Sequence, residues 1–308
     1  MYVDRRTRTL AIANLIAQIG IIVTGGLVRL TGSGLGCSQW PLCEPGQFTP
    51  QFTEESSLHP YIEFGNRTLT GVLGIIAIAL IWSVYRREPT ASRPEIKKLA
   101  WFPLIGIIIQ ALVGGITVWV DLHPAVVGSH MLISLALVAV SAYLLWRIVR
   151  PDTPPRPLAS FARPLTIALA LSATLLVVLG VIVTGAGPHS GDAEEPYRWA
   201  MDTVMITRVH SAAAWLFTAI TITGLVLLNR LQDETGEKKA AMSAFAAVLA
   251  VTLLEGLVGY IQHATNLPEA LVIIHMLLAA LLVTAVTRAA ASLHPRSHAL
   301  DRSPTASR

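Results

Sequence analysis

Eight apolar stretches, each long enough to cross a lipid bilayer, decide most of what this chain can become. They run over roughly 9–30, 64–85, 100–120, 125–147, 164–186, 204–228, 240–262 and 270–288. About 20 helical residues, rising roughly 1.5 Å each, cover a hydrocarbon core of roughly 30 Å. In that medium backbone N–H and C=O groups must be paired within the segment, so each stretch has to be a helix. Composition agrees: 53% of the 308 residues are hydrophobic and 14% are charged, too few charges to clothe a water-soluble domain of this size. The fold expected is an all-α membrane protein of eight transmembrane helices. Arg5, Arg6 and Arg8 precede the first stretch. That stretch is too long for the apolar core of a cleavable leader and reads as the first span.

Charge placement orients the spans. Nineteen of the 23 Lys and Arg fall in the N-terminus, 86–98, 147–163, 230–239 and the C-terminal tail. Basic residues gather on the cytoplasmic side, which puts both termini there. Short basic clusters in register with helix ends form no continuous basic surface, which argues against a nucleic-acid partner despite the pI near 9.3. The outer loops are then 31–62, 121–124, 187–203 and 263–269, the first and third long and bearing Glu54, Glu55, Asp192 and Glu194. Long loops that hold their length tend to carry function.

The two halves repeat each other. Leu112, Val113 and Gly114 recur as Leu257, Val258 and Gly259; Leu122, Ala125 and His130 recur as Leu267, Ala270 and His275. Ile22, Val23, Thr24 and Gly25 closing the first span match Ile182, Val183, Thr184 and Gly185 closing the fifth. The same alignment sets Asn66 opposite His210. Four units are expected: 1–150, an N-terminal four-helix unit; 151–163, a stiff Pro-rich cytoplasmic linker; 164–290, a C-terminal four-helix unit; and 291–308, a disordered cytoplasmic tail.

Seven of the nine histidines lie in the outer loops or near the outer ends of spans; His294 and His298 are in the tail. His130, His210 and His275 sit inside spans four, six and eight. An imidazole in lipid is costly unless it faces protein, water or a ligand. One such residue is ordinarily a hydrogen bond between helices. Three on related helices point instead to ligation. Zinc wants three or four protein groups converging on one point, whereas one histidine per helix suits a haem held between facing helices. Ser211, Ala212, Ala213 and Ala214 after His210 would admit a flat macrocycle, and serve equally for close helix packing.

The run Gly25–Cys43, with Thr31-Gly32-Ser33-Gly34-Leu35-Gly36-Cys37 and Trp40-Pro41-Leu42-Cys43, resembles the haem A synthase family, as do the eight spans, the repeat, the Glu63–Arg67 stretch and the three intramembrane histidines. The resemblance covers nearly the whole chain. It implies an oxidoreductase of the bacterial plasma membrane that converts haem O to haem A by oxidising the C8 methyl to a formyl group. It implies haem b as cofactor, held by His210 and His275, and haem O as substrate in the N-terminal half, with His130 as one iron ligand. The family pattern often has a second histidine where this chain has Asn66, leaving that haem with an open face or with a ligand from His59, His123 or His189. Glu63 matches a residue implicated in catalysis, and Arg67 suits a haem propionate, with Arg29, Arg198 and Arg208 as weaker alternatives; a plain Glu63–Arg67 helix pair is the simpler reading. Cys37 and Cys43, facing an oxidising compartment, are expected to form a disulfide over the N-terminal pocket. Implied partners are the haem O synthase and cytochrome oxidase assembly, within the bilayer. The oligomeric state is left open, a homo-oligomer included, as are the roles of His263 and of Glu255, an ionisable residue within span seven whose repeat partner is Gln110. The Pro188–Asp192 stretch reads as a turn, a lid or a propionate contact. Two rivals share the histidines or the repeat: a di-haem electron carrier that leaves its haem unmodified, and a transporter, whose site would lie near the midplane.

Overall fold

The computed structural model describes residues 4–51, 57–192, 197–232 and 236–296. Glu54, Glu55, Glu194 and His298 lie outside the described residues. Eight helices make up the fold: α1 (Arg5–Leu30), α2 (His59–Arg86), α3 (Pro94–Trp119), α4 (Pro124–Ile148), α5 (Ala162–Ala186), α6 (Thr203–Asn229), α7 (Glu237–Ala264) and α8 (Glu269–Ser292). All eight are long and apolar enough to span a membrane.

Most helices start earlier than their apolar stretches, because polar first turns carry their own start signals. Asp4 caps α1, its carboxylate accepting from the Thr7 N–H at 2.8 Å and the Thr7 hydroxyl at 2.9 Å. The Thr7 backbone bond holds the Asp4 carboxyl below its ordinary pKa. Asp202 caps α6, accepting from the N–H groups of Val204 and Met205. Pro60, Pro94 and Pro124 stand in the first turns of α2, α3 and α4, where a missing N–H costs nothing.

Packing follows chain order. α1 and α3 each pack on α2 and α4; α5 and α7 each pack on α6 and α8; α1 and α4 meet α8, and α4 also meets α5. Ala11, Leu80, Ile96, Leu144 and Ile148 form a core in the first group. Leu169, Phe217, Leu228, Phe245 and Val248 form one in the second. Leu15, Ile22, Leu135, Val138 and Ala280 fill the seam. The short turns α3–α4 and α7–α8 share one backbone design. Asp121 and Leu122 are both left-handed (φ 48° and 56°), as are Asn266 and Leu267 (61° and 60°). In each turn the leucine N–H returns to a carbonyl five residues back, Thr117 or Gln262. Asp and Asn tolerate this region; a leucine there is strained and needs packing to hold it.

The linker and the start of the tail are not separate strands of coil. The N–H groups of Arg156 and Leu158 donate to the carbonyls of Pro295 and Leu293, and Leu293 is fully buried. The expected free tail therefore begins with a docked segment.

Candidate functional site

The three intramembrane histidines occupy equivalent settings. Each ring lies against a glycine of the preceding helix in the chain: His130 of α4 beside Gly114 of α3, His210 of α6 beside Gly180 of α5, His275 of α8 beside Gly259 of α7. A Cβ added at those glycines would stand 3.5, 3.1 and 3.3 Å from the imidazole Cε1. At Gly180 and Gly259 even a methyl group would push the ring by a few tenths of an ångström, while at Gly114 it would just touch. Each histidine also has a buried Nδ1 that makes no well-formed hydrogen bond, the backbone of Leu176 and of Glu255 lying near the His210 and His275 rings. Buried polar atoms are nearly always paired, so three such nitrogens at repeat-related sites fit the demand of a metal-centred ligand. Packing agrees. The buried positions of α6 and α8 nearest these rings on the inner side are Ala213 and Leu278, and that of α4 is Ser134, each three or four residues past its histidine. His210 and His275 lie within electrostatic reach of one another. Among the described residues no group of three or more His, Cys, Asp and Glu gathers as for a bare metal ion.

The fourth related position differs. The Asn66 Oδ1 accepts from the Thr24 hydroxyl of α1 at 2.7 Å. Gly20, which the repeat pairs with Gly180, has nothing within 4 Å of its missing Cβ. The first half therefore has no ring where the second half has His210. The three histidines weighed as substitutes each have one ring nitrogen in a hydrogen bond, which leaves the second nitrogen of each imidazole. His59 Nδ1 shares a hydrogen bond with Ser33 at 2.8 Å. His123 caps α4, its Nδ1 accepting from the Ala125 N–H at 3.3 Å, and its ring rests on Tyr197. His189 Nε2 donates to the Leu267 carbonyl at 3.0 Å. His263 is exposed near the end of α7.

Glu63 and Arg67 do more than pair along a helix. Cys37 and Cys43 form a disulfide, and the short loop it closes is gripped from below. Glu63 Oε2 accepts from the Cys37 N–H at 2.7 Å. Arg67 Nη1 donates to the carbonyls of Gln39 and Leu42 at 2.9 and 3.0 Å, while its Nε and Nη2 hold Glu63 Oε1. Gly36 permits this approach: a Cβ there would meet the His59 backbone at 2.5 Å. Trp40 lies on Gly115, next to the glycine that receives His130, and meets Trp119 edge-on. Glu63 is the one buried carboxylate among the described residues.

This geometry reorders the propionate candidates. Arg67 spends its donors on Glu63 and the loop. Arg29 donates to the carbonyls of His189 and Thr184, and Arg198 to that of Pro188. Arg208, two residues before His210, is exposed and bonds to none of the described residues. Arg29 also ties the first outer loop to the third, a junction continued by the Gly34 N–H donating to the Gly191 carbonyl and by a bridge between Ser33 and Asp192. The Pro188–Asp192 stretch is thus a clasp between halves.

In the second half Glu255 Oε1 stands 3.5 Å from His275 Nε2. In the first, Gln110 donates to the His130 carbonyl at 2.9 Å and to Ser134. The glycine seats and the Thr24–Asn66 bond escaped sequence reasoning, although Gly114 and Gly259 stand inside its repeated Leu-Val-Gly step.

Residues 8–287 match the family COX15-CtaA, described as cytochrome oxidase assembly protein. Among curated proteins, the chain is similar to the heme A synthase of Bacillus pumilus, 34% identical over 47% of each chain. It is 30% identical to that of Bacillus licheniformis over 59% of this chain and 58% of the relative, and 29% identical to that of Shewanella oneidensis over 58% and 56%. The chain spans about half the length of the curated relatives it matches.

Proposed function

Because this chain belongs to the COX15-CtaA family of cytochrome oxidase assembly proteins, we propose that it is a haem A synthase, a multi-pass membrane oxidoreductase that oxidises the C8 methyl of haem O to a formyl group. One observation carries the reading: three half-buried imidazoles, each set against a helical glycine with a buried nitrogen that makes no well-formed hydrogen bond, and an asparagine at the fourth related position. The heme A synthases among its relatives support it.

His210 and His275 hold haem b between α6 and α8, with Arg208 as the free cation at the outer end for a propionate. Bound haem b supplies one-electron redox chemistry. His130 binds the substrate haem O from one side. Asn66, turned to Thr24, gives iron no imidazole on the other, so the two sites are inequivalent. Turning a methyl into a formyl group adds one oxygen and removes four electrons; successive hydroxylations at one carbon give a diol that loses water. The chain's own part is to exclude bulk water and to move protons. The disulfide loop, held by Glu63 and Arg67, covers the first site with Trp40. Glu63, buried at that cover, is the group placed to pass protons outward. The basic loops put both chain ends in the cytoplasm, the sites near the outer face. Haem O synthase supplies the substrate and oxidase assembly takes the product.

Haem extraction and chromatography from membranes containing this chain and a haem O synthase tests the reading. Haem A appears, and disappears with His130→Ala or Glu63→Gln. Recovery of haem B and haem O alone from folded, haem-loaded protein supplied with an electron acceptor supports the di-haem carrier instead.

A further inference from the structure

The end of the bundle away from the histidines holds a second charged cluster that haem chemistry does not use. Arg93, just before α3, and Arg147, near the end of α4, are each 2% exposed. Arg296, in the segment after α8, is close enough to Arg147 to interact electrostatically. Arg93 donates to the Arg150 carbonyl at 2.9 Å, and its Nε stands 3.3 Å from Glu95 and 3.6 Å from Asp152. Arg147 Nη2 is 2.7 Å from Glu95 and 3.9 Å from Asp152. Arg296 Nη1 donates to the Thr153 carbonyl at 2.6 Å.

Two carboxylates face three guanidiniums, so one positive charge is in excess on groups that have given up water. Both carboxylates are also more than 40% exposed (Glu95 42%, Asp152 49%), which weakens their hold. Three buried donors have no acceptor among the described residues: Arg93 Nη2, Arg147 Nη1 and Arg296 Nε. Orphaned N–H groups on three converging guanidiniums call for one acceptor with several oxygens.

Neighbouring aromatics give the depth of the cluster. Tyr143, one turn before Arg147, stacks with Trp146, and the Arg150 guanidinium lies 5.7 Å over the Trp146 ring. Trp101 donates to the Tyr85 hydroxyl, and Lys97 lies 5.2 Å over the Tyr85 ring. Tyrosine, tryptophan and basic side chains gather where lipid headgroups meet water.

We propose that Arg93, Arg147 and Arg296 bind a phosphate group, delivered by an anionic phospholipid of the adjacent leaflet or taken from solution as free phosphate. Its oxygens accept from the three orphaned donors, and Asp152, held only by long contacts from the Pro-rich linker, gives way. The cluster joins α3, α4, the linker and the segment after α8, so a bound phosphate fastens the two halves at their inner end. The proposal is independent of the haem reading.

The test uses the purified, delipidated full chain with its haem complement in phosphate-free detergent, followed by thermal unfolding and native mass spectrometry. Added phosphatidylglycerol raises Tm by several degrees (~2–4 °C per kcal/mol of binding for a chain of this size) and stays bound, and phosphatidylcholine does neither. Inorganic phosphate matching that rise identifies the solution source; no effect of phosphate identifies the lipid. Arg296→Gln weakens the response about tenfold by removing one charge-assisted contact. Arg147→Lys, which keeps the charge but loses the fork, weakens it as well; should it fail to fold, Arg296→Gln decides. A response to phosphatidylglycerol no larger than that to phosphatidylcholine with no response to phosphate, or a response unchanged in Arg296→Gln, overturns the proposal.

Discussion

The first and second halves share their scaffold and part company at their polar residues. Both turn from the third to the fourth helix through two consecutive left-handed residues, and both seat a histidine of the fourth helix on a glycine of the third. Around that common frame the second half sets His210 opposite His275, with Glu255 beside the latter. The first half sets Asn66, turned to Thr24, on the helix opposite His130, with neutral Gln110 in place of the carboxylate. It alone carries a disulfide-closed loop gripped by Glu63 and Arg67. A bundle can thus keep one way of presenting imidazoles and differentiate two sites by changing one opposing side chain and one covering loop. Under the function proposed above, the second half holds a haem in place and the first binds one, acts on it and lets it go.

The most disruptive way to break this comparison is His275→Ala. It removes a ligand from the resident site, so the low-spin bis-histidine absorption and about one haem per chain are lost, and haem A formation falls at least a hundredfold, on the order of 3 kcal/mol or more in transition-state terms. Retention of that absorption would assign the resident haem elsewhere. Asn66→His makes the halves alike: substrate-loaded protein gains a low-spin signal by electron paramagnetic resonance, and turnover drops about tenfold or more. If the unaltered protein already shows two bis-histidine haems, the asymmetry argued here is wrong. Next comes the glycine pair. Gly180→Val drives a side chain into the His210 ring and costs about 1–3 kcal/mol with loss of resident haem, whereas Gly20→Val, whose Cβ has nothing within 4 Å, leaves haem content unchanged. Equal haem loss from both would mean that the rings are not what the glycines accommodate. The smallest effect is Asp4→Ala, which removes a helix cap worth about 1 kcal/mol in a denaturation midpoint and touches neither site. The Asp4 carboxyl has a folded-state pKa below its unfolded value. Its contribution is therefore complete above about pH 4 and fades as pH falls through the folded value. The Asp4→Ala difference should shrink in acid and persist at neutrality.

Much of this molecule could be read from the chain. The spans follow from apolar length, and the structure moves their starts outward furthest where a cap or proline lies among polar residues, as at Asp4 and Pro94. The histidine positions were legible because the same spacing from a Leu-Val-Gly step to a histidine, Gly114 to His130 and Gly259 to His275, recurs in both halves. What the loop histidines do was not, since His59, His123 and His189 are each held by partners from turns or loops, Ser33 and Leu267 being remote in sequence. Arg67 was legible only in part. The helix pair with Glu63 was legible from the i, i+4 spacing and is present, whereas the propionate role gave way to the backbone carbonyls of Gln39 and Leu42, which no side-chain pattern announces. The paired turns at 121–122 and 266–267 were visible only as matching leucines; their left-handed backbone comes from the way the chain must reverse.

The backbone bonds from Arg156 and Leu158 to Pro295 and Leu293 set an order of events during synthesis. The linker leaves the ribosome before the last four helices, and its acceptors, Leu293 and Pro295, lie just past the eighth. Until they emerge, those linker N–H groups must remain with water. The joint between the halves therefore closes last, after all eight helices are made, and a ribosome that stalls within α8 leaves a protein whose first half has met its neighbours while its hinge stays unlatched.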